Sequence, residues 1–244
     1  WISFILPLPY GAEARDAAFL NESYGFILAR NGVLLHLDIN PNYYFFPGYE
    51  LDTNRIYMQI SNKGDLGQSD LTFKLTTYKD MPFLYNGGFY LSGYEGENLW
   101  AAGEAEYSLV ENFISGPVGV YESGIWLINK SDKPFGEGWK IWESAVDYGA
   151  PFYDGNNDGE YDPIDLNNNG IWDENEDAPE IMGDKTVWTI FNDGVPASGR
   201  FEGLNPLGLE MAQTVFAYDR EYLENAIFVR YKIKNTGLCP AIYQ

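Results

Sequence analysis

Nine carboxylates lie between Asp154 and Asp177, in DGNNDGEYDPIDLNNNGIWDENED, with no Lys or Arg among them. Set against itself at an offset of eleven residues, the tract repeats: Asp154 falls on Asp165, Asn156 on Asn167, Asp158 on Asn169, Gly159 on Gly170, Tyr161 on Trp172, Asp162 on Asp173 and Asp165 on Glu176. Each copy fits the calcium loop D-x-[DN]-x-[DN]-G-x5-[DE]. Calcium is a hard cation that takes about six to eight oxygens, so alternate residues of a tightly curved loop must point inward, and the glycine permits the turn. In the first copy the oxygens come from Asp154, Asn156, Asp158, the Glu160 carbonyl, Asp162 (directly or through water) and Asp165. In the second they come from Asp165, Asn167, Asn169, the Ile171 carbonyl, Asp173 and Glu176. The expected cofactor is Ca²⁺, one or two ions, since the second copy carries two Asn in place of acids. Magnesium demands stricter geometry and zinc draws on His or Cys, which the tract lacks.

The plain alternative is that Asp, Asn and Gly are turn formers and the tract is a solvated loop. Two copies in register, with matching aromatic positions, weigh toward calcium. Helix-loop-helix EF-hands do not fit, because Asp165 ends one loop and begins the next, and Pro151, Pro163 and Pro179 interrupt helical runs around them. The overlap resembles the thrombospondin type 3 arrangement, in which the chain wraps successive ions and one carboxylate can serve two of them. Without ions, the like charges should repel and the segment should loosen. Extracellular calcium modules commonly bind at about 10⁻⁴ to 10⁻³ M, which suits a constitutive structural ion.

Motifs for other chemistry are scarce. The chain has no Walker loop, no GxGxxG after a strand, no HExxH and no GxSxG, and its one His, His36 in LLHLDIN, reads as a neutral residue at a strand edge. The expectation is no enzyme; paired carboxylates for glycan hydrolysis are a matter of geometry that sequence leaves open. A formal charge of -21 works against nucleic acid as a partner and favours cations. The single Cys239 leaves no internal disulfide, redox pair or thiolate zinc site.

The elements that must hold the tract read as strands. Abundant Gly, Tyr and Phe suit short strands and tight turns. In NRIYMQIS, Ile56, Met58 and Ile60 alternate with Tyr57, Gln59 and Ser61, and DLTFKLTTY alternates likewise, so the two are expected to pair antiparallel. QTVFAYD and AIFVRYKIKN form a second expected pair, with Arg230, Lys232 and Lys234 on one solvated face. Helix is expected only in GAEARDAAFL and for a turn or so around WKIWESAVDYG. The predicted fold is mainly β: an antiparallel β-sandwich-like domain with a long calcium-binding loop insertion and little helix. Residues 1–150 form a β-rich region, 151–185 the tandem loop insertion, and 186–244 the strands that complete the sandwich.

Two apolar stretches stand apart. In PNYYFFPGY, residues 41–49, five aromatics cannot all face one core if extended, so a strand buried on both sides competes with a subunit interface and, more distantly, a sugar platform. The opening WISFILPLPYG is too short to span a bilayer and lacks a basic flank, so no membrane insertion is expected; an arm of this kind could pack on, or add a strand to, a neighbouring subunit, in a chain processed or excerpted from something longer.

The phrases LWAAGEAEY, SGPVG, GAPFYDGNNDGEYDP, DAPEIMGDKTVWTIFND, NPLGLEMAQTVFAYD and LENAIFVRYKIKNTG resemble a recurring block in large secreted proteins of Bacteroidota and related bacteria, which commonly carry a type IX secretion sorting domain. The likeness covers roughly residues 99–238 and implies an extracellular or cell-surface location, a β-rich fold and calcium loops. The expected function is a calcium-stabilised extracellular structural protein, a homo-oligomer or polymer in a surface layer, tube or filament. A carbohydrate-binding or adhesive surface module with glycan partners is the alternative, and a glycan-active hydrolase a third.

Overall fold

The structure is a computed structural model that describes residues 14–21, 24–29, 34–38, 43–44, 48–67, 75–103, 112–120, 123–200 and 204–237. The apolar opening, Cys239, residues 68–74 and much of the aromatic run therefore lie outside the described residues, and of the first four strands only the backbone is described.

The chain is mainly β and its sheets are antiparallel, as the alternation predicts. Strands β1 (Ala14–Asn21), β2 (Tyr24–Ala29) and β3 (Leu34–Asp38) form a three-stranded meander, with His36 on the edge strand β3. Where it is described, from Ala14 on, the stretch GAEARDAAFL expected to be helix is thus a strand. Its Ala, Arg and Leu carry helix propensity worth only tenths of a kcal/mol each, about as much as a weak prior, and ladder bonds to the β-prone YGFILA override it.

A second sheet comprises β5 (Gly48–Leu51), β6 (Ile56–Ser61), β7 (Leu66–Gly67), β8 (Thr76–Tyr78), β9 (Met81–Leu84) and β10 (Asn86–Gly87). The expected pairing of NRIYMQIS with LTTY is present where it is described, with Ile56 opposite Tyr78 and Tyr57 opposite Thr77. Strands β11 (Tyr90–Glu95) and β12 (Asn98–Gly103) make a separate ribbon.

The central sheet is built from β4 (Tyr43–Tyr44), β13 (Ile114–Ser115), β14 (Ile125–Asn129), β17 (Lys185–Asn192), β18 (Leu209–Ala217) and β19 (Ile227–Asn235), in the order β19-β18-β17-β14-β4 with β13 also on β17. Between β14 and β17 come helix α1 (Glu137–Asp147) and the two-residue strands β15 (Phe152–Tyr153) and β16 (Ala178–Pro179).

Three layers follow from the alternation within β17, whose KTVWTIFN is buried at every residue after Lys185. Such a run marks a strand covered on both faces. Val187, with Ile125, Val215 and Ala217, packs on Leu51, Ile56, Met58, Ile60 and Leu66 of the second sheet, which makes the sandwich. Farther along, Phe191 and Met211 pack with Phe113 and with Trp100 and Ala102 of the ribbon. The alternate residues Trp188 and Ile190, with Trp126 and Ile128, pack on α1 through Trp139, Trp142 and Ala145. The spacing of those three puts them on one helix face, and the helix runs longer than the single turn expected from sequence.

Strand β19 pairs with β18 along its whole length. Its basic face is only partly solvated: Arg230 lies against Glu180 and Thr214, whereas Lys232 and Lys234 are exposed. Val229 and Ile233 on the other face are exposed too, as befits a strand at the sheet edge.

Candidate metal centre

The acidic tract leaves the fold through a neck. Phe152 pairs with Pro179 and Tyr153 with Ala178, so Asp154 and Asp177 emerge side by side although 23 positions separate them (177 − 154). Beyond the neck the two copies repeat in space as they do in sequence.

In the first loop, Asp154 Oδ2 accepts the Gly159 N–H at 3.0 Å, Asn156 Oδ1 that of Asp158 at 3.0 Å, and Asp158 Oδ1 that of Glu160 at 2.9 Å. In the second loop, Asp165 Oδ2 accepts from Gly170 at 2.7 Å, Asn167 Oδ1 from Asn169 at 3.0 Å and Asn169 Oδ1 from Ile171 at 2.7 Å. Side chains at the first, third and fifth positions thus fold inward onto the loop's own backbone, which fixes the curl. Gly159 (φ 83°) and Gly170 (φ 74°) are left-handed as expected. The fourth positions, Asn157 (φ 63°) and Asn168 (φ 59°), are left-handed too. Asn tolerates that region, and the repeated NN was the available sign of it.

The closing acids divide the loops differently from the linear repeat. Glu176 accepts the N–H of Leu166 at 2.8 Å and of Asp173 at 2.9 Å, the second and ninth positions of the second loop. The matching donors of the first loop, Gly155 and Asp162, go to Asp177 at 3.0 and 2.8 Å. Asp165, expected to close the first loop as well as open the second, gives both its oxygens to the second, to Asn169 and Gly170. Asp177 is absent from the eleven-residue repeat; the sign that could have found it is the symmetry of its flanks, FYD entering and DAP leaving. Gly155 is needed at the seam, because a Cβ there would sit 2.4 Å from the Glu176 backbone nitrogen and oxygen.

The eighth positions dock the loops. Tyr161 is buried in the cluster with Trp139, Trp142 and Trp188, its hydroxyl donating to the Trp139 carbonyl at 2.9 Å. Burial lifts that hydroxyl well above the ordinary phenol range, and the Asp177 and Glu143 carboxylates push the same way. Trp172 donates its indole N–H to the Glu176 carbonyl at 2.9 Å and meets Tyr153 edge-on.

Among the described residues, no three carboxylate, His or Cys groups converge into a ready metal cage. The interior donors alternate acids with amides, and the amides of Asn167 and Asn169 both donate to Asp173 Oδ2, at 2.7 and 3.0 Å. Glu160 and Ile171 are exposed, and it is their carbonyls, not their side chains, that the spacing assigns to a cation.

Charge is nevertheless unevenly compensated. Buried Asp193 has Arg200 at 3.9 Å and accepts the Leu207 and Leu209 N–H groups. Glu176 and Asp177, each 2% exposed, have no Lys or Arg within ion-pair reach among the described residues. Asp154 Oδ1 is shut off from solvent and has no hydrogen-bond partner among the described residues. Buried carboxylates are ordinarily paired with a cation or bound to a metal.

No family model, no curated protein and no solved structure matches the chain. Among the described residues no helix is long and apolar enough to cross a membrane.

Proposed function

We propose that this is a calcium-stabilised extracellular structural protein whose subunits assemble with one another at a cell surface, as a layer, tube or filament. The observation that carries the calcium reading is the pair of loops with one backbone frame, closed by two buried acids that lack a cationic partner among the described residues. Calcium would supply the missing positive charge, and the first, third and fifth side chains with the Glu160 and Ile171 carbonyls would supply its oxygens. The resemblance to secreted proteins of Bacteroidota supports the location, where free calcium is abundant enough for a weak structural site.

Assembly is supported by apolar side chains left outside the core. Met81, Phe83 and Tyr85 succeed one another on alternate residues, and Tyr90, Tyr94 and Leu99 line one face of the ribbon. The exposed tyrosines also favour a second reading, a carbohydrate-binding surface module, since flat rings stack on sugar faces.

Thermal melting in calcium and in chelator tests the first reading. With dissociation constants of about 10⁻⁴ M and ion at a hundredfold excess, each site adds about 2.7 kcal/mol. Two sites should raise the melting temperature by roughly 10–20 °C in a chain of this size. Coincident curves would remove calcium from the account. Light scattering in millimolar calcium separates an assembling subunit from a monomer, and a glycan array addresses the second reading.

A further inference from the structure

The β11–β12 ribbon is the part of the fold left with open edges. Its strands pair with each other and with no further strand among the described residues, so each keeps an outer row of backbone N–H and C=O groups off any ladder. Native edges are ordinarily blunted by a cation, a proline, an irregular register or sheer shortness. Such devices stand on other edges of this chain: β19 carries Arg230, Lys232 and Lys234, β9 carries Pro82, β1 shifts register twice against β2, and β4 and β10 are two residues long. The strands YLSGYE and NLWAAG of the ribbon hold no Lys, Arg or Pro and pair residue for residue without a shift.

The ribbon is also apolar on both faces. Leu91, Trp100 and Ala102 pack into the core, while Tyr90, Tyr94 and Leu99 on the opposite face are 64%, 75% and 65% exposed, with Ala101 exposed beside them. Tyr94 lies across from Leu99, and Tyr90 across from Gly103, where a Cβ would sit 2.5 Å from the Tyr90 ring; the ring therefore rests over the glycine. A strand apolar on both faces is suited to being covered on both, and a two-stranded ribbon is stabilised by further strands.

Resting on the assembly reading above, we propose that a second copy of the chain docks on this ribbon, β11 against β11 in antiparallel register about Ser92, to make a four-stranded sheet across a twofold axis. Charge selects that occupant. A chain of net charge -21 repels its own copies over most of its surface, but between Tyr90 and Gly103 it carries only Glu95 and Glu97 and no cation. The antiparallel register sends the two acidic turns to opposite ends of the new sheet. Glu97 lies five residues from Ser92, so at about 3.4 Å per residue its two copies stand roughly 30 Å apart, well beyond the screening length of about 8 Å. The register is also self-complementary. Each Tyr90 falls opposite the partner's Tyr94, which gives two cross-strand aromatic pairs. Each Leu91 falls opposite the partner's Gly93, where a Cβ would meet nothing within 4 Å and a larger neighbour has room.

Sedimentation of the whole chain over a range of concentrations tests the contact. The parent should associate through a dimer, and Ser92→Lys, which sets two cations face to face on the axis, should weaken association by about tenfold or more. Tyr222→Lys, at an exposed position away from the ribbon, is the control. Each lysine reduces the net negative charge, so a general charge effect would strengthen association in both variants; weakening in Ser92→Lys alone marks a contact there. Directly opposed residues of an antiparallel pair lie about 4.5–5.5 Å apart between Cα atoms, within disulfide reach. Under mild oxidation Ser92→Cys should therefore give a covalent dimer, above the background set by Cys239 in the parent, and Glu97→Cys should not. Unchanged association in Ser92→Lys, or no added covalent dimer from Ser92→Cys, overturns the inference and leaves assembly through another surface standing. If Ser92→Lys does not fold, the cross-link decides by itself. A parent that stays monomeric at every concentration overturns the assembly reading and this inference together, and glycan binding lost in Tyr94→Ala would then assign the ribbon to a sugar.

Discussion

Replacing Gly155 by Ala offers a sharp test of how the neck closes the first loop. The new Cβ would lie 2.4 Å from both the nitrogen and the oxygen of Glu176 and 2.7 Å from the Asn175 carbonyl carbon, all backbone atoms that no rotamer change can move. Ordinary contact begins at 3.4 Å, so the two segments must part by about 1 Å (3.4 − 2.4). That displacement takes the bond from the Gly155 N–H to Asp177, now 3.0 Å, out of hydrogen-bonding range and strains the one from Asp162 at 2.8 Å. Hydrogen bonds to a charged acceptor contribute about 1.5–3 kcal/mol each, so the loss of one and weakening of the other costs about 3–5 kcal/mol. In a chain of this length that lowers the melting temperature by roughly 10 °C. Calorimetric melting of Gly155→Ala beside Gly93→Ala provides the comparison, because a Cβ at Gly93 meets nothing within 4 Å and should leave stability nearly unchanged. If the two variants melt together, the close seam between Gly155 and Glu176 is wrong.

Two other perturbations probe the same unit. The neutral Tyr161 phenol is favoured in the folded chain, so above the ordinary phenol value of about 10 the folded state holds a proton the unfolded state has lost, and stability should fall by about 1.4 kcal/mol per pH unit. That contribution is intact below about pH 10; Tyr161→Phe should flatten the alkaline decline in urea midpoints, leaving the part due to Tyr57, which burial and Glu50 raise in the same sense, and identical slopes would refute it. Asn168 sits in the left-handed region at φ 59°, so Asn168→Ala should cost about 1–2 kcal/mol in chemical denaturation while Asn168→Gly should be close to neutral.

What could be seen in the sequence was whatever a local period could carry. The β18–β19 pair is legible in the alternation of Val229, Tyr231 and Ile233 with Arg230, Lys232 and Lys234, and a turn of α1 in WKIWESAVDYG, though not the helix's full length. The curl of both loops is legible because its donors and acceptors lie within five residues of one another. Helix was expected where β1 stands because Ala-rich local propensity competed with a ladder to β2 that no local window contains. Asp177 was missed for a related reason: its partnership with Gly155 depends on a ladder of two residue pairs, too short to leave a period. What covers β17 on each face was likewise hidden, since a run such as KTVWTIFN marks a covered strand without showing by what.

The placement of Tyr161 has a consequence for any attempt to treat the tract as a portable cassette. Its ring is a tile in the roof that α1 lays over Trp126 and Trp188, and it meets Phe152 edge-on at 5.3 Å. Cutting the tract out and joining Tyr153 to Ala178 by a tight turn would lift that tile and wet the indoles beneath it. The tract and the sheet would then melt as one body, and a graft of residues 154–177 onto a foreign hairpin would arrive without the floor on which its first loop stands.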